Sequence, residues 1–139
     1  MKKLAILLSL SLLLAACDLG FPKMTVNYDN FPHGKIKEYI TKTFPNEPEK
    51  EALSKMIYAQ LSGDKSADNI RKTVSQMGMT CEVEKEMCEY LGYIKTKVAG
   101  ISSGSGRAKR IYHIVIFPKK GMDSLKIEYQ IVEDTEKVN

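Results

Sequence analysis

The side chains able to act as a base, a thiolate or a metal ligand are few: His33 and His113, and Cys17, Cys81 and Cys88. Nucleophilic catalysis needs a base held beside a hydroxyl or thiol. His33 falls in a stretch dense in turn-forming residues, and His113 alternates with Ile111, Val115 and Phe117 as a half-buried strand residue does. A zinc site would have to combine Cys81 and Cys88 with both histidines, and their spacing is neither the usual zinc pattern nor that of a thioredoxin-like redox pair. The carboxylates Glu82, Glu84, Glu86 and Glu89 lie in and beside the segment between those cysteines. Acid–base work needs two carboxylates held at a cleft, and a calcium loop orders Asp, Asn and Gly in a way this segment does not; a solvated acidic face is the simpler reading. Ser103-Gly104-Ser105-Gly106, with no helix pattern after it, reads as a flexible turn rather than a phosphate cradle. No catalytic set, metal centre or cofactor site is expected.

Cys17 is different. Lys2 and Lys3 precede an apolar run from Leu4 to Leu14, and small residues lead into the cysteine, which is the layout of an export signal. The run is about half the roughly 20 residues that a spanning helix requires. Leu14-Ala15-Ala16-Cys17 resembles the lipobox of bacterial lipoproteins. That resemblance implies cleavage between Ala16 and Cys17, acylation of Cys17, and membrane attachment through the lipid, each buried methylene adding about 0.8 kcal/mol. It places the chain in the cell envelope, facing the periplasm, where disulfides persist. With Cys17 used for lipid, Cys81 and Cys88 remain as an even pair, and a disulfide between them is expected. Asp18 resembles the inner-membrane retention signal of enteric lipoproteins.

The chain has 139 residues and a net charge of +4, of which Lys2 and Lys3 leave with the signal. That balance gives no reason to expect a nucleic-acid partner. The organisation expected is a signal peptide over 1–16, a lipidated N-terminus and tether over 17–34, a domain over 35–132 and a frayed tail over 133–139.

Within the domain, Ile36, Tyr39, Ile40 and Phe44 recur at helical spacing before Pro45. Glu47, Glu49 and Glu51 suit the positive end of a second helix carrying Leu53, Met56, Ile57 and Leu61. Ser66 is placed to cap a third, with Ile70, Val74 and Met77 on one stripe and Gly78 as its stop. Cys88–Ala99, Arg110–Phe117 and Leu125–Val132 alternate as strands, joined by a mobile Gly/Ser turn over 100–107 and a tighter hairpin over 118–123. The fold predicted is α+β, a two-layer sandwich with two or three short helices packed on a three-stranded antiparallel meander.

A lipobox, a tether, two helices with Met77-Gly78-Met79-Thr80 after the second, and then a meander, is similar in order to the small envelope lipoproteins of the BamE-like type and to the fold of β-lactamase inhibitory proteins. The resemblance implies a non-catalytic binding or scaffold module of an envelope complex, or an inhibitor or immunity-type lipoprotein that blocks an exported hydrolase or an incoming element. Its contact surfaces are expected at the acidic loop of Glu82, Glu84, Glu86 and Glu89, at the Leu125–Val132 edge, and among Arg107, Lys109, Arg110, Lys119 and Lys120 near the hairpin turns.

Overall fold

The computed structural model describes residues 23–100 and 104–133. Its elements in order are β1 (Lys23–Asn27), α1 (Lys35–Thr43), α2 (Lys50–Ala59), α3 (Ala67–Gln76), β2 (Thr80–Glu82), β3 (Met87–Gly100), β4 (Gly104–Ile116), two 3₁₀ turns (Pro118–Lys120 and Met122–Ser124) and β5 (Lys126–Glu133). The α+β class and all three helices are as the sequence predicts. The sheet is larger than the expected meander: five antiparallel strands in the order β1-β3-β4-β5, with β2 also on β3.

The extra strands come from segments whose composition hid them. Residues 23–34 were expected to be tether, yet β1 pairs Lys23 with Ala99 through to Asn27 with Lys95. The Asn30 carbonyl then accepts from the Tyr93 N–H at 3.3 Å, and β2 pairs Cys81 with Cys88 further along the same edge. Three pieces of chain thus share one edge of β3. Phe31, only 3 % exposed, anchors the passage, with Tyr28 edge-on to Phe44 at 5.8 Å. Gly92 makes this possible, because a Cβ there would stand 2.6 Å from the Phe31 ring. The Gly/Ser-rich segment from Gly104 is likewise strand, paired from Gly100↔Gly104 onward, so the β3–β4 hairpin is longer than the sequence predicts. Glu133, expected in the frayed tail, closes β5 opposite Ala108. The signal segment, Cys17, Asp18 and residues 134–139 lie outside the described residues.

The helices follow from local chemistry. Ser66 Oγ accepts from the Asn69 N–H and caps α3, satisfying a donor that the first turn leaves orphaned. At the other end, the Gly78 N–H bonds Ser75 O and the Met79 N–H bonds Val74 O, the Schellman pattern, with Gly78 at φ 108°. A side chain at Gly78 would also strike the His33 carbonyl at 2.7 Å, so the glycine lets the start of α1 cross the end of α3.

The inward stripes Ile36 and Ile40, Leu53 and Ile57, and Ile70 and Val74 meet one face of the sheet at Cys88, Tyr90, Ile94, Tyr112, Ile114, Ile116 and Ile127. Each such burial contributes about 1.5–3 kcal/mol. Aromatic rings run across this layer: Phe31 lies 5.6 Å from Tyr112, which lies 5.3 Å from Tyr129. Burial raises the phenol pKa of Tyr90, Tyr112 and Tyr129, with the Arg110 charge opposing the shift at Tyr112. The Tyr90 hydroxyl donates to Pro32 O at 3.3 Å, whereas those of Tyr112 and Tyr129 have no partner among the described residues.

Candidate interaction face

The helices cover one face of the sheet, and among the described residues nothing is packed over the other, here called the open face. Because strand side chains alternate, the odd residues of β3 and β4 and the even residues of β5 share that open face. The register sets them in rows: Glu89, Val115 and Lys126; Leu91, His113 and Glu128; Tyr93, Ile111 and Gln130; Lys95, Lys109 and Val132; then Lys97 and Arg107. The face is acidic toward the disulfide end, apolar at its waist and basic toward the β3–β4 turn.

At the acidic end His113 Nε2 stands 3.1 Å from Glu89 Oε2, the two side chains 37 % and 43 % exposed. Glu128 is directly opposite His113 on the next strand. The His113 row and the rows beside it on β3, β4 and β5 carry no hydroxyl or thiol except the Tyr93 phenol, which is two residues along β3 from Leu91, the cross-strand partner of His113. Among the described residues no group of three or more His, Cys, Asp or Glu is placed to hold a metal ion. The surface here dips into two shallow depressions that meet at His113 and Glu128. One takes in Leu91, Ile111 and Gln130 with Lys50 and Tyr129; the other takes in Val115, Phe117 and Lys126. Leu91 is 53 % exposed. A carboxylate–imidazole pair set among exposed Leu91 and the half-buried Ile111, Val115 and Phe117 can orient and hold a partner's polar group beside an apolar contact, which is the composition of a recognition surface.

The four glutamates expected to act together do not. Cys81 and Cys88 are at bonding distance, 2.03 Å, and close the β2–β3 hairpin. Glu82 pairs with Lys85 at 2.8 Å, and Glu86 pairs with Lys119, which holds its carboxyl below the usual range. Glu84 has no ion-pair partner among the described residues, and Val83 at the tip is 76 % exposed. The hairpin is therefore largely charge-neutral, and Glu89 belongs to the open face.

The basic group separates as well. Arg107 and Lys109 are on the open face, while Lys119 and Lys120 are at the opposite end beside the disulfide. Arg110 turns to the helices, where it donates to Pro45 O at 2.6 Å and covers Phe44. Lys95 and Lys97, which complete the basic rows, were not singled out from the sequence. The signal was present in the odd positions of β3, Glu89-Leu91-Tyr93-Lys95-Lys97, but the even positions are just as apolar at Tyr90 and Ile94, so alternation alone does not say which set faces out.

Comparison with protein-family models, with curated proteins and with solved structures finds no match for this chain.

Proposed function

We propose that the protein is a lipid-anchored, non-catalytic binding module of the cell envelope, held at the periplasmic face of a membrane through Cys17, that engages an envelope protein through the open sheet face. The observation that carries this reading is the waist of Leu91, Tyr93 and Ile111, uncovered among the described residues, beside the Glu89–His113 pair. A one-sided antiparallel sheet ordinarily turns polar residues to water, and here the outward face keeps large apolar side chains in adjacent rows. Lipobox chemistry supports the anchor, and no helix among the described residues is long and apolar enough to cross a membrane. Asp18 favours the inner membrane.

The test is photo-crosslinking in living cells from Ile111 and from Lys72 on α3, each with Cys17 intact and with Cys17→Ala. The proposal expects one discrete envelope-protein adduct from Ile111, none from Lys72, and loss of the adduct with the lipid. Equal labelling from both faces would overturn it. The inhibitor reading has one observation of its own, the exposed Val83 at the tip of a disulfide-closed hairpin. It predicts instead a soluble hydrolase whose inhibition is lost in Glu84→Lys and which is captured with or without the lipid.

A further inference from the structure

The two edges of the sheet are built differently. On one side β1, the Asn30 carbonyl and β2 together occupy the outer edge of β3. On the other side β5 is the last strand, and among the described residues it pairs only with β4. Natural edge strands are blunted by brevity, by proline, by a bulge or by a charge turned inward. β5 instead runs eight residues, KIEYQIVE, without proline or glycine, and keeps an unbroken register with β4 from Val115↔Lys126 to Ala108↔Glu133. Its charges Lys126 and Glu128 are on the open side, and the helix side carries Ile127, Tyr129 and Ile131 before the terminal Glu133. Ile127 is 8 % exposed, whereas Ile131 is 58 % exposed. The strand thus presents a long, straight edge with an uncovered isoleucine on the side that elsewhere forms the core.

The side-chain pattern of that edge is complementary to itself. Two copies of one strand, paired antiparallel about a two-fold axis normal to the sheet, keep their helix-covered faces on the same side, so each residue meets one of the same parity. With the axis at Tyr129, Ile127 meets Ile131 of the second copy and Tyr129 meets its own counterpart on the helix side. On the open side Lys126 meets Val132, and Glu128 meets Gln130, whose amide can donate to the carboxylate. Moving the axis to Glu128 would set two Glu128 carboxylates against each other, and moving it to Gln130 would set Ile127 against Glu133. Like charges directly opposed destabilise a pair of strands, and a carboxylate beside an isoleucine gives up water for nothing. The Tyr129-centred register avoids both and gives the exposed Ile131 an apolar neighbour. We propose that β5 is a self-association edge that pairs antiparallel with β5 of a second copy in this register, the main-chain groups supplying affinity and the side chains supplying register. A foreign strand can use the same main-chain groups, but the match of β5 to itself names the occupant. The two open faces then lie side by side on one continuous sheet. This goes beyond the binding-module reading and does not depend on acylation of Cys17.

The experiment coexpresses two differently tagged forms of the full chain in living cells, one carrying Glu128→Cys and the other Gln130→Cys, and drives disulfide formation with a mild oxidant. Both positions are exposed, so neither substitution disturbs the core. Directly opposed residues on paired strands have Cβ atoms about 4.5–5.5 Å apart, close to disulfide reach, whereas diagonal ones are about 7–8 Å apart. A reducible dimer joining the two tags is therefore expected, several-fold more abundant than the dimer that either variant forms alone, with the unsubstituted chain as the reference. A dimer formed as readily by Gln130→Cys alone puts the axis at Gln130 and overturns the proposal. No dimer above the reference also overturns it, and leaves the edge free or covered by another segment or a foreign strand. Adding Ile131→Glu to both forms should lower the mixed dimer about tenfold, because the pairing would then set a charge against Ile127 of the second copy. Circular dichroism of the purified variant checks that the fold is kept, and an unchanged dimer yield overturns the proposal.

Discussion

The two faces of this sheet are built from nearly the same residues and meet opposite fates. On β4, Tyr112, Ile114 and Ile116 are buried beneath the helices, while Ile111 and Val115, and Phe117 just past the strand, one residue away in each case, lie on the open side. Hydrophobicity per strand does not separate them. What separates them is the covering layer: the stripes of α1, α2 and α3 fit only the even set of β4, and the rows of the odd set are interrupted by His113, Glu89 and the lysines. An apolar side chain earns its transfer free energy only when something covers it, so the covered face supplies stability and the open face remains available for contact.

The largest test of that contrast is a pair of truncations on one strand. Ile114→Ala should lower unfolding free energy by about 2–5 kcal/mol, since the removed atoms leave a cavity in a packed layer. Ile111→Ala should stay within about 1 kcal/mol. Urea denaturation of both variants gives the comparison, and a cost at Ile111 equal to that at Ile114 would mean that the open face is already covered in solution, by a second copy for instance.

Next in size is the disulfide. Cys81–Cys88 closes a short loop, with a sequence separation of 7, and the chain-entropy account assigns such a loop about 2–3 kcal/mol. Because the bond ties only β2 to the start of β3, reduction should lower the midpoint of unfolding while the rest of the sheet keeps its amide protection. Hydrogen exchange with and without reductant checks this. A loss of protection throughout β4 and β5 would show instead that the hairpin organises the whole sheet.

How much of this was legible in the sequence follows from the same contrast. The helices were readable because each carries a single apolar stripe and a physical stop, Ser66 at one end of α3 and Gly78 at the other. The disulfide followed from compartment and parity. β1 was not readable: Asn27, Asp29, Asn30 and Pro32 gave its segment the composition of a tether, and the contacts that order it, Phe31 against Gly92 and Asn30 O with Tyr93 N–H, join residues about sixty apart in sequence. The Gly/Ser run misled in the same direction, since the strand pairing from Gly104 onward is set by the long register of β3 with β4 and not by local propensity. The open face was invisible as a face because its residues are shared among three strands. The glutamates nearest in sequence drew the reading toward the 82–89 loop, when only Glu89 among them belongs to the face.

The buried tyrosines provide a pH test confined to the covered side. Burial raises the phenol pKa of Tyr90 and Tyr129 in the folded protein, so between the unfolded value near 10 and the folded one the native state holds more protons than the unfolded state. Stability contributed by keeping these phenols neutral is complete below about pH 10 and is lost as pH rises toward the folded values, by about 1.4 kcal/mol per pH unit for each tyrosine. Tyr90→Phe should flatten that alkaline slope at the cost of its hydrogen bond to Pro32. Tyr112→Phe should be neutral or slightly stabilising near pH 7, because its hydroxyl is buried without a partner among the described residues. Equilibrium denaturation across the alkaline range separates the two variants, and a Tyr112→Phe variant destabilised by more than about 1 kcal/mol would reveal a partner for that hydroxyl.

The smallest effect is expected at Glu89 and His113, and its smallness is informative. Their side chains are 43 % and 37 % exposed, so water screens the pair, and at a pH where His113 is protonated such a half-exposed contact contributes at most about 1 kcal/mol. Glu89→Gln, His113→Gln and the double variant form a cycle whose coupling term isolates the interaction from the packing of either residue. On an open face that coupling should stay below about 1 kcal/mol and shrink with added salt. A larger, salt-insensitive coupling would require the pair to be desolvated, which only a covering surface can do. The same cycle repeated in the presence of a captured partner should then show the coupling grow, because the partner removes the water that screens it. The pair thus reports whether the open face is open, from a contact too weak to matter for the fold.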